Sequence, residues 1–269
     1  YTQNYQLSWG NGDNGPLKIV VGGNYVKADG VLAGDRAISA FPNPYQTACD
    51  SNCSSYPLTG RYRGPIFVNL GNDPQTLSHP ITTPASYPAD FRDFTDADRF
   101  NFAPFNYIEI PLKRYGAFAT ANYQVADNLD FTLKGVWNRR KSVNQAGPIP
   151  LGVGPSAGNG NLLDTITISG TNPFNPFGID LIPNGSPGGN YDDVRRRMIE
   201  MGVRHFTQTV NTWYGSATLD GQIGSSGDWF WDVNGIYGKN KAKQTFTGNI
   251  NAAKLQQALG PVAACTAAC

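Results

Sequence analysis

Residues 115–138 read YGAFATANYQVADNLDFTLKGVWN, and the alternation in this stretch decides the fold. Tyr115, Ala117, Ala119, Ala121, Tyr123 and Val125 take one set of alternate positions, while Gly116, Phe118, Thr120, Asn122 and Gln124 take the other. After Ala126, Asp127 and Asn128 the pattern resumes: Leu129, Phe131, Leu133, Gly135 and Trp137 alternate with Asp130, Thr132, Lys134, Val136 and Asn138. Successive side chains of a strand point to opposite faces, so the stretch predicts a tight antiparallel hairpin with one apolar face.

Working outward, the same period returns on both sides. Upstream, Tyr1, Tyr5, Leu7 and Trp9 lead through a turn at Gly10–Pro16 to Leu17, Ile19, Val21 and Tyr25. Downstream, Trp213, Gly215, Ala217, Leu219 and Ile223 lead through Gly224–Asp228 to Trp229, Trp231, Val233, Gly235 and Tyr237. Six strands in three hairpins follow, over residues 1–27, 107–141 and 205–247. The connections between hairpins are far longer than a compact domain uses, at residues 28–106 and 142–204, and residues 248–269 follow the last hairpin. Short turns at one side and long loops at the other are the signature of an antiparallel transmembrane β-barrel. On that reading the strands descend to Trp9, Val125 and Ile223 and climb again from Leu17, Leu129 and Trp229.

The aromatic spacing tests this independently. Tyr115 and Tyr123 lie eight residues apart on one face, as do Trp229 and Tyr237. Eight residues of tilted strand span roughly 20 Å along a membrane normal, close to the apolar band between aromatic girdles. The face that carries them is therefore expected to meet outer-membrane lipid. A soluble sandwich would place turn signals every 8–12 residues or so instead.

Composition agrees with a strand-and-loop protein: 12% of residues are aromatic and only 15% charged, with 31 glycines and 19 prolines. A net charge of +1 and no basic stripe interleaved with aromatics argue against a nucleic-acid partner. No apolar run approaches the roughly 18 residues of a spanning helix, and a strand-built wall needs none. Residue 1 falls inside an alternating run with no signal sequence ahead of it, so the start of the protein is expected upstream.

Cys49 and Cys53, and Cys265 and Cys269, form two short pairs in loop-like sequence. Local disulfides in an oxidising compartment account for them better than zinc sites, since neither pair has a histidine nearby and His79 and His205 are the only two. The carboxylates Asp90, Asp93, Asp96 and Asp98 offer hard oxygen ligands, but Arg92 and Arg99 among them favour local ion pairs over calcium. Residues 251–259 carry helical spacing, stopped by Gly260 and Pro261. No nucleophile elbow, phosphate loop or metalloprotease helix occurs, so no enzyme activity is expected. The candidate ligand contacts are polar residues on the wall's inner face near the loop side: Asn138, Arg140, Thr212, Tyr214 and Asn240. No cofactor or metal is required by this reading.

Several stretches carry a family resemblance in order: residues 98–108 (DRFNFAPFNYI) running to 113–123 (KRYGAFATANY), residues 172–178 (NPFNPFG), residues 195–200 (RRRMIE) with Gly202 and Arg204, and residues 229–234 (WFWDVN). Together they resemble TonB-dependent outer-membrane receptors, especially the large sphingomonad and caulobacter type. The resemblance implies a 22-stranded barrel around an N-terminal plug, preceded by a segment that contacts TonB, and a last strand with a terminal aromatic. None of these is visible here, and six strands are too few for closure, which takes about eight. The chain is thus expected to be an internal barrel fragment, completed by further strands of a parent receptor in a Gram-negative outer membrane. TonB would act through the missing plug to drive uptake of a siderophore, a cofactor or an oligosaccharide. The rival expectations are a passive porin and a soluble or surface β-rich protein that binds carbohydrate or assembles with itself.

Overall fold

The computed structural model describes residues 1–12, 15–70, 74–80, 85–224 and 229–261. The chain is all-β, built from antiparallel sheets, and divides into two compact units.

The first unit comprises Tyr1–Val31, Tyr107–Asn144 and His205–Phe246. Its six strands are β1 (Thr2–Gly10), β2 (Leu17–Ala28), β3 (Leu112–Ala126), β4 (Leu129–Ala146), β5 (Arg204–Ile223) and β6 (Trp229–Thr247). They lie side by side in chain order as one sheet. The three expected hairpins are present. Asp127 and Asn128 make the central turn, with a register irregularity between Gln124 and Ala126. The other two turns include residues 13–14 and 225–228, which lie outside the described residues.

Register turns the sequence alternation into a continuous face. Tyr5 pairs with Tyr25, Tyr25 with Tyr115, and Tyr115 with Arg139. Further along, Trp9 lies opposite Val21, Val21 opposite Ala119, and Ala119 opposite Gly135. At the turn end, Leu17 meets Tyr123 and Tyr123 meets Phe131. A one-residue slip anywhere would have thrown these side chains to the other side. The tyrosines of the first row follow one another along the sheet, Tyr5 and Tyr25 stacked with ring centroids 6.4 Å apart and Tyr25 and Tyr115 tilted at 5.1 Å.

Among the described residues, no layer of the first unit covers this face. Leu7 is 80% exposed, Leu133 48% and Val233 65%. An apolar expanse of this breadth exceeds the scattered hydrophobics normal for a water-facing surface.

The second unit comprises Leu32–Asn106, Gln145–Arg204 and Thr247–Cys269. The sequence reading expected these stretches to be loops, with a short helix at residues 251–259; the first two instead build a five-stranded sheet of their own. Its order is Pro150–Val153, Asp193–Arg197, Arg61–Arg63, Gln75–Leu77 and Phe91–Asp93. One face of the sheet packs an aromatic cluster in which Tyr62, Phe67, Tyr87, Phe91 and Phe177 meet at ring separations of 4.8–6.4 Å. Burial pushes the Tyr62 phenol up to about 12. Phe67, Ile168, Leu181 and Tyr191 complete the core. The Tyr191 hydroxyl donates to the Ile166 carbonyl, so the buried phenol keeps a partner.

The helix α1 (Ala252–Leu259) begins where its cap predicts: the Asn251 side chain accepts from the Ala253 and Lys254 amides. The Cys49–Cys53 disulfide is formed. Cys265 and Cys269 lie outside the described residues.

Candidate functional site

The reverse face of the six-stranded sheet is where the sequence placed its candidate contacts, and it is predominantly polar. Hydrogen bonds between side chains tie neighbouring strands along it. Asn122 on β3 donates to the Thr132 hydroxyl on β4 at 2.9 Å. Arg140 on β4 donates from Nη2 to Oε1 of Gln208 on β5 at 2.7 Å. Between β5 and β6, Thr218 bonds Asn234 at 3.3 Å and Asn240 donates to the Thr212 hydroxyl at 3.1 Å.

Of the five candidates, Thr212 and Asn240 are brought into direct contact, and Arg140 is held by Gln208, a residue the sequence reading did not single out. Tyr214 is 41% exposed and offers its phenol from the same strand as Thr212. Asn138 has a partner of another kind. Gly116 lies between Asn24 and Asn138 in the pairing, and a Cβ there would stand 2.1 Å from Asn24 Oδ1 and 2.9 Å from Asn138 Oδ1. The two amides thus close over a position that only glycine leaves open. Asn24, also missed from sequence, belongs with Asn138 in the set.

The arrangement is a surface of amides, hydroxyls and one guanidinium, suited to hydrogen-bonding a polar solute or a second protein layer. It has apolar members too: Phe118 lies opposite Val136, and its ring covers Gly22. At the turn end Asp130, Asp220 and Asp232 line a depression of about 400 Å³ together with Phe230 and Trp231.

The other sequence candidates are engaged locally. Arg92 pairs with Asp98, and Arg99 with Asp96 at 2.6 Å. The Arg92 hydrogen bond holds the Asp98 carboxyl below its ordinary value, with the Thr95 amide adding to the effect. Asp93 accepts from Gln75, and Asp90 accepts from the Ser86 amide. The His79 ring lies 2.9 Å from the Pro80 carbonyl through Nδ1 and 3.7 Å from Asp90 through Nε2. The ion pairs expected among these residues are present; no group of three or more His, Cys, Asp or Glu side chains that could hold a metal occurs among the described residues.

No protein-family model, curated protein or solved structure matches the chain.

Proposed function

We propose that this chain supplies part of the barrel wall and the external loops of a TonB-dependent outer-membrane receptor. The intact receptor would take up a siderophore, cofactor or oligosaccharide by an energy-coupled route. The observation that carries the reading is the two-sidedness of the six-stranded meander. One face is apolar, uncovered within its unit and edged by the Tyr5, Tyr25 and Tyr115 row, while the other is laced with polar cross-strand bonds. In a bilayer every strand must satisfy its backbone through neighbours and turn apolar side chains outward, with a polar interior behind. A sheet in water has the reverse need.

Chain path supports the same reading. The Asp127–Asn128 turn and the strand ends Gly10, Leu17, Ile223 and Trp229 fall at one end of the sheet, and the long excursions leave from Ala28, Ala146 and the far end of β6 at the other. Lipid is the partner of the apolar face, and the remaining strands of the receptor pair with the open edges of β1 and β6. Asn24, Asn138, Arg140, Thr212, Tyr214 and Asn240 then face the interior, where they contact the solute or the plug. TonB acts through the plug, and the wall described here stays fixed.

The test is genetic and physical together. The reading frame that encodes this chain, expressed in a Gram-negative host, is expected in the outer-membrane fraction, and uptake of its solute should stop when tonB is deleted. Passage that persists without TonB would contradict energy coupling, and recovery in a detergent-free soluble fraction would contradict the membrane placement.

A further inference from the structure

In the second unit, Arg61 and Arg63 project from the face of the sheet opposite Tyr62 and its aromatic cluster. Pairing sets Arg63 against Asp193 and Arg61 directly against Arg195. Like charges facing each other on adjacent strands are destabilising unless something of opposite sign lies between them. Asp193, fully buried, lies 3.0 Å from both Arg63 and Arg195 and is shared between them.

Two more guanidinium groups adjoin. Arg197 is buried, donating to the Pro148 carbonyl at 2.8 Å and to the Ser54 hydroxyl. Arg99 donates to the Cys53 carbonyl at 3.2 Å and pairs with the exposed Asp96. Aromatic rings hold the planes in place: Arg61 and Arg99 lie over Phe94, and Arg195 and Arg197 lie over Tyr56. Against Arg61, Arg63, Arg99, Arg195 and Arg197 stand the carboxylates Asp193 and Asp96. Among the described residues, neither Arg61 nor Arg197 has a carboxylate within 4.0 Å. The Nε atoms of both are buried without a hydrogen-bond partner.

Burial lowers Arg197 to about 10, with Arg204 adding to it, and lowers Arg61 with Arg195 as the next cause. Arginine nonetheless stays charged at neutral pH. Arg61, half-buried, and Arg197, buried, are left without a counter-ion, which is costly, and an anion is what relieves it.

We propose that this arginine face is a binding site for an oxyanion, the carboxylate or phosphate group of a ligand, received between Arg61 and Arg195 with Arg63 at its edge. The planar fork of Arg61 matches either group bidentately, while Arg195, whose Nη2 already donates to the Ser156 carbonyl at 2.8 Å and to Asp193 at 3.2 Å, adds its charge and its Nη1, which is held only at 3.4 Å by Ser55. Arg63 and Arg195 keep 31% and 17% of their side chains exposed, which gives the anion a way in. Cys53, Ser54 and Ser55, held beside the Cys49–Cys53 bridge, fix Arg99, Arg197 and Arg195 from the rim. The inference concerns the second unit alone and stands whether or not the first unit meets lipid.

The test is calorimetric titration of the full chain in detergent, at low ionic strength, with inorganic phosphate and separately with citrate. One anion or both should bind saturably, and Arg61→Gln and Arg195→Gln should each weaken binding about tenfold or more. Tighter binding of phosphate identifies a phosphate ligand, and tighter binding of citrate a carboxylate ligand. Absence of saturable binding to the folded protein overturns the proposal, as does binding that both glutamine variants retain. If a glutamine variant loses the near-ultraviolet circular dichroism of the Tyr62 cluster, Arg61→Lys decides the matter. It keeps the charge and removes the fork, so weakened binding supports the site and unchanged binding refutes it.

Discussion

Placing an arginine at Ala119 separates a lipid-facing wall from a wet one. Ala119 lies midway between Tyr115 and Tyr123, with Val21 and Gly135 directly opposite on the flanking strands. If the face meets hydrocarbon, this is the middle of the band, where arginine costs about 2–4 kcal/mol. Thr120, the next residue, points the other way and lies opposite Lys134. Arginine there meets only a like charge across the strand, worth about 0.2–1 kcal/mol. Urea unfolding of the protein in phospholipid vesicles reads the difference. With a slope of about 1–3 kcal/mol per molar urea, Ala119→Arg should lower the midpoint by on the order of 1 M and Thr120→Arg by much less. In water a surface substitution at Ala119 would stay within about 0.5 kcal/mol. Equal, small shifts for the two variants would refute the argument.

Three further outcomes are expected in the second unit. Gly64 has φ near +137°, and a Cβ there would stand 2.6 Å from the Tyr191 Cα and the Asp192 nitrogen. Backbone cannot give way, so Gly64→Ala should cost about 1–3 kcal/mol and speed hydrogen exchange at the Asp192 amide, leaving β3 unchanged. The Tyr62 phenol, raised by burial to about 12 from 10.0, favours the folded state below pH 10. That contribution, about 2–3 kcal/mol, is lost as pH rises from 10 through 12, where only the unfolded chain releases the proton; Tyr62→Phe should flatten this limb of a pH-stability curve. Replacing Cys49 and Cys53 by serine opens a loop of sequence separation 4, worth about 2 kcal/mol of closure entropy, and thermal unfolding should show a matching fall.

The six-stranded sheet was legible because its strands are long. Over Tyr115–Trp137 the period of two persists through a whole hairpin, and register then follows from keeping the apolar set together. Helix α1 was legible from the helical spacing of residues 251–259 and the stop at Gly260 and Pro261, since both are local signals. The second sheet was not. Arg61–Arg63, Gln75–Leu77 and Phe91–Asp93 are three residues each, too short for alternation to register, and Asp193–Arg197 joins them from more than a hundred residues away. The same distance hid the site's partners. Arg140 could be placed on the polar face by counting, but Gln208 lies 68 residues further on, and only strand pairing brings them together. Asn24 escaped because its neighbour is a glycine whose meaning depends on Asn138 lying on the far side. The arginine face was visible only as the run Arg195–Arg197; its other half, Arg61 and Arg63, comes from a separate strand.

Nitroxide labels placed singly from Ala117 to Gln124, in vesicles, address the central claim most directly. Access to oxygen should peak at positions 117, 119, 121 and 123, and access to a polar relaxation agent at 118, 120, 122 and 124. An alternation of opposite phase, or none, would contradict a sheet whose tyrosine-edged side lies in lipid.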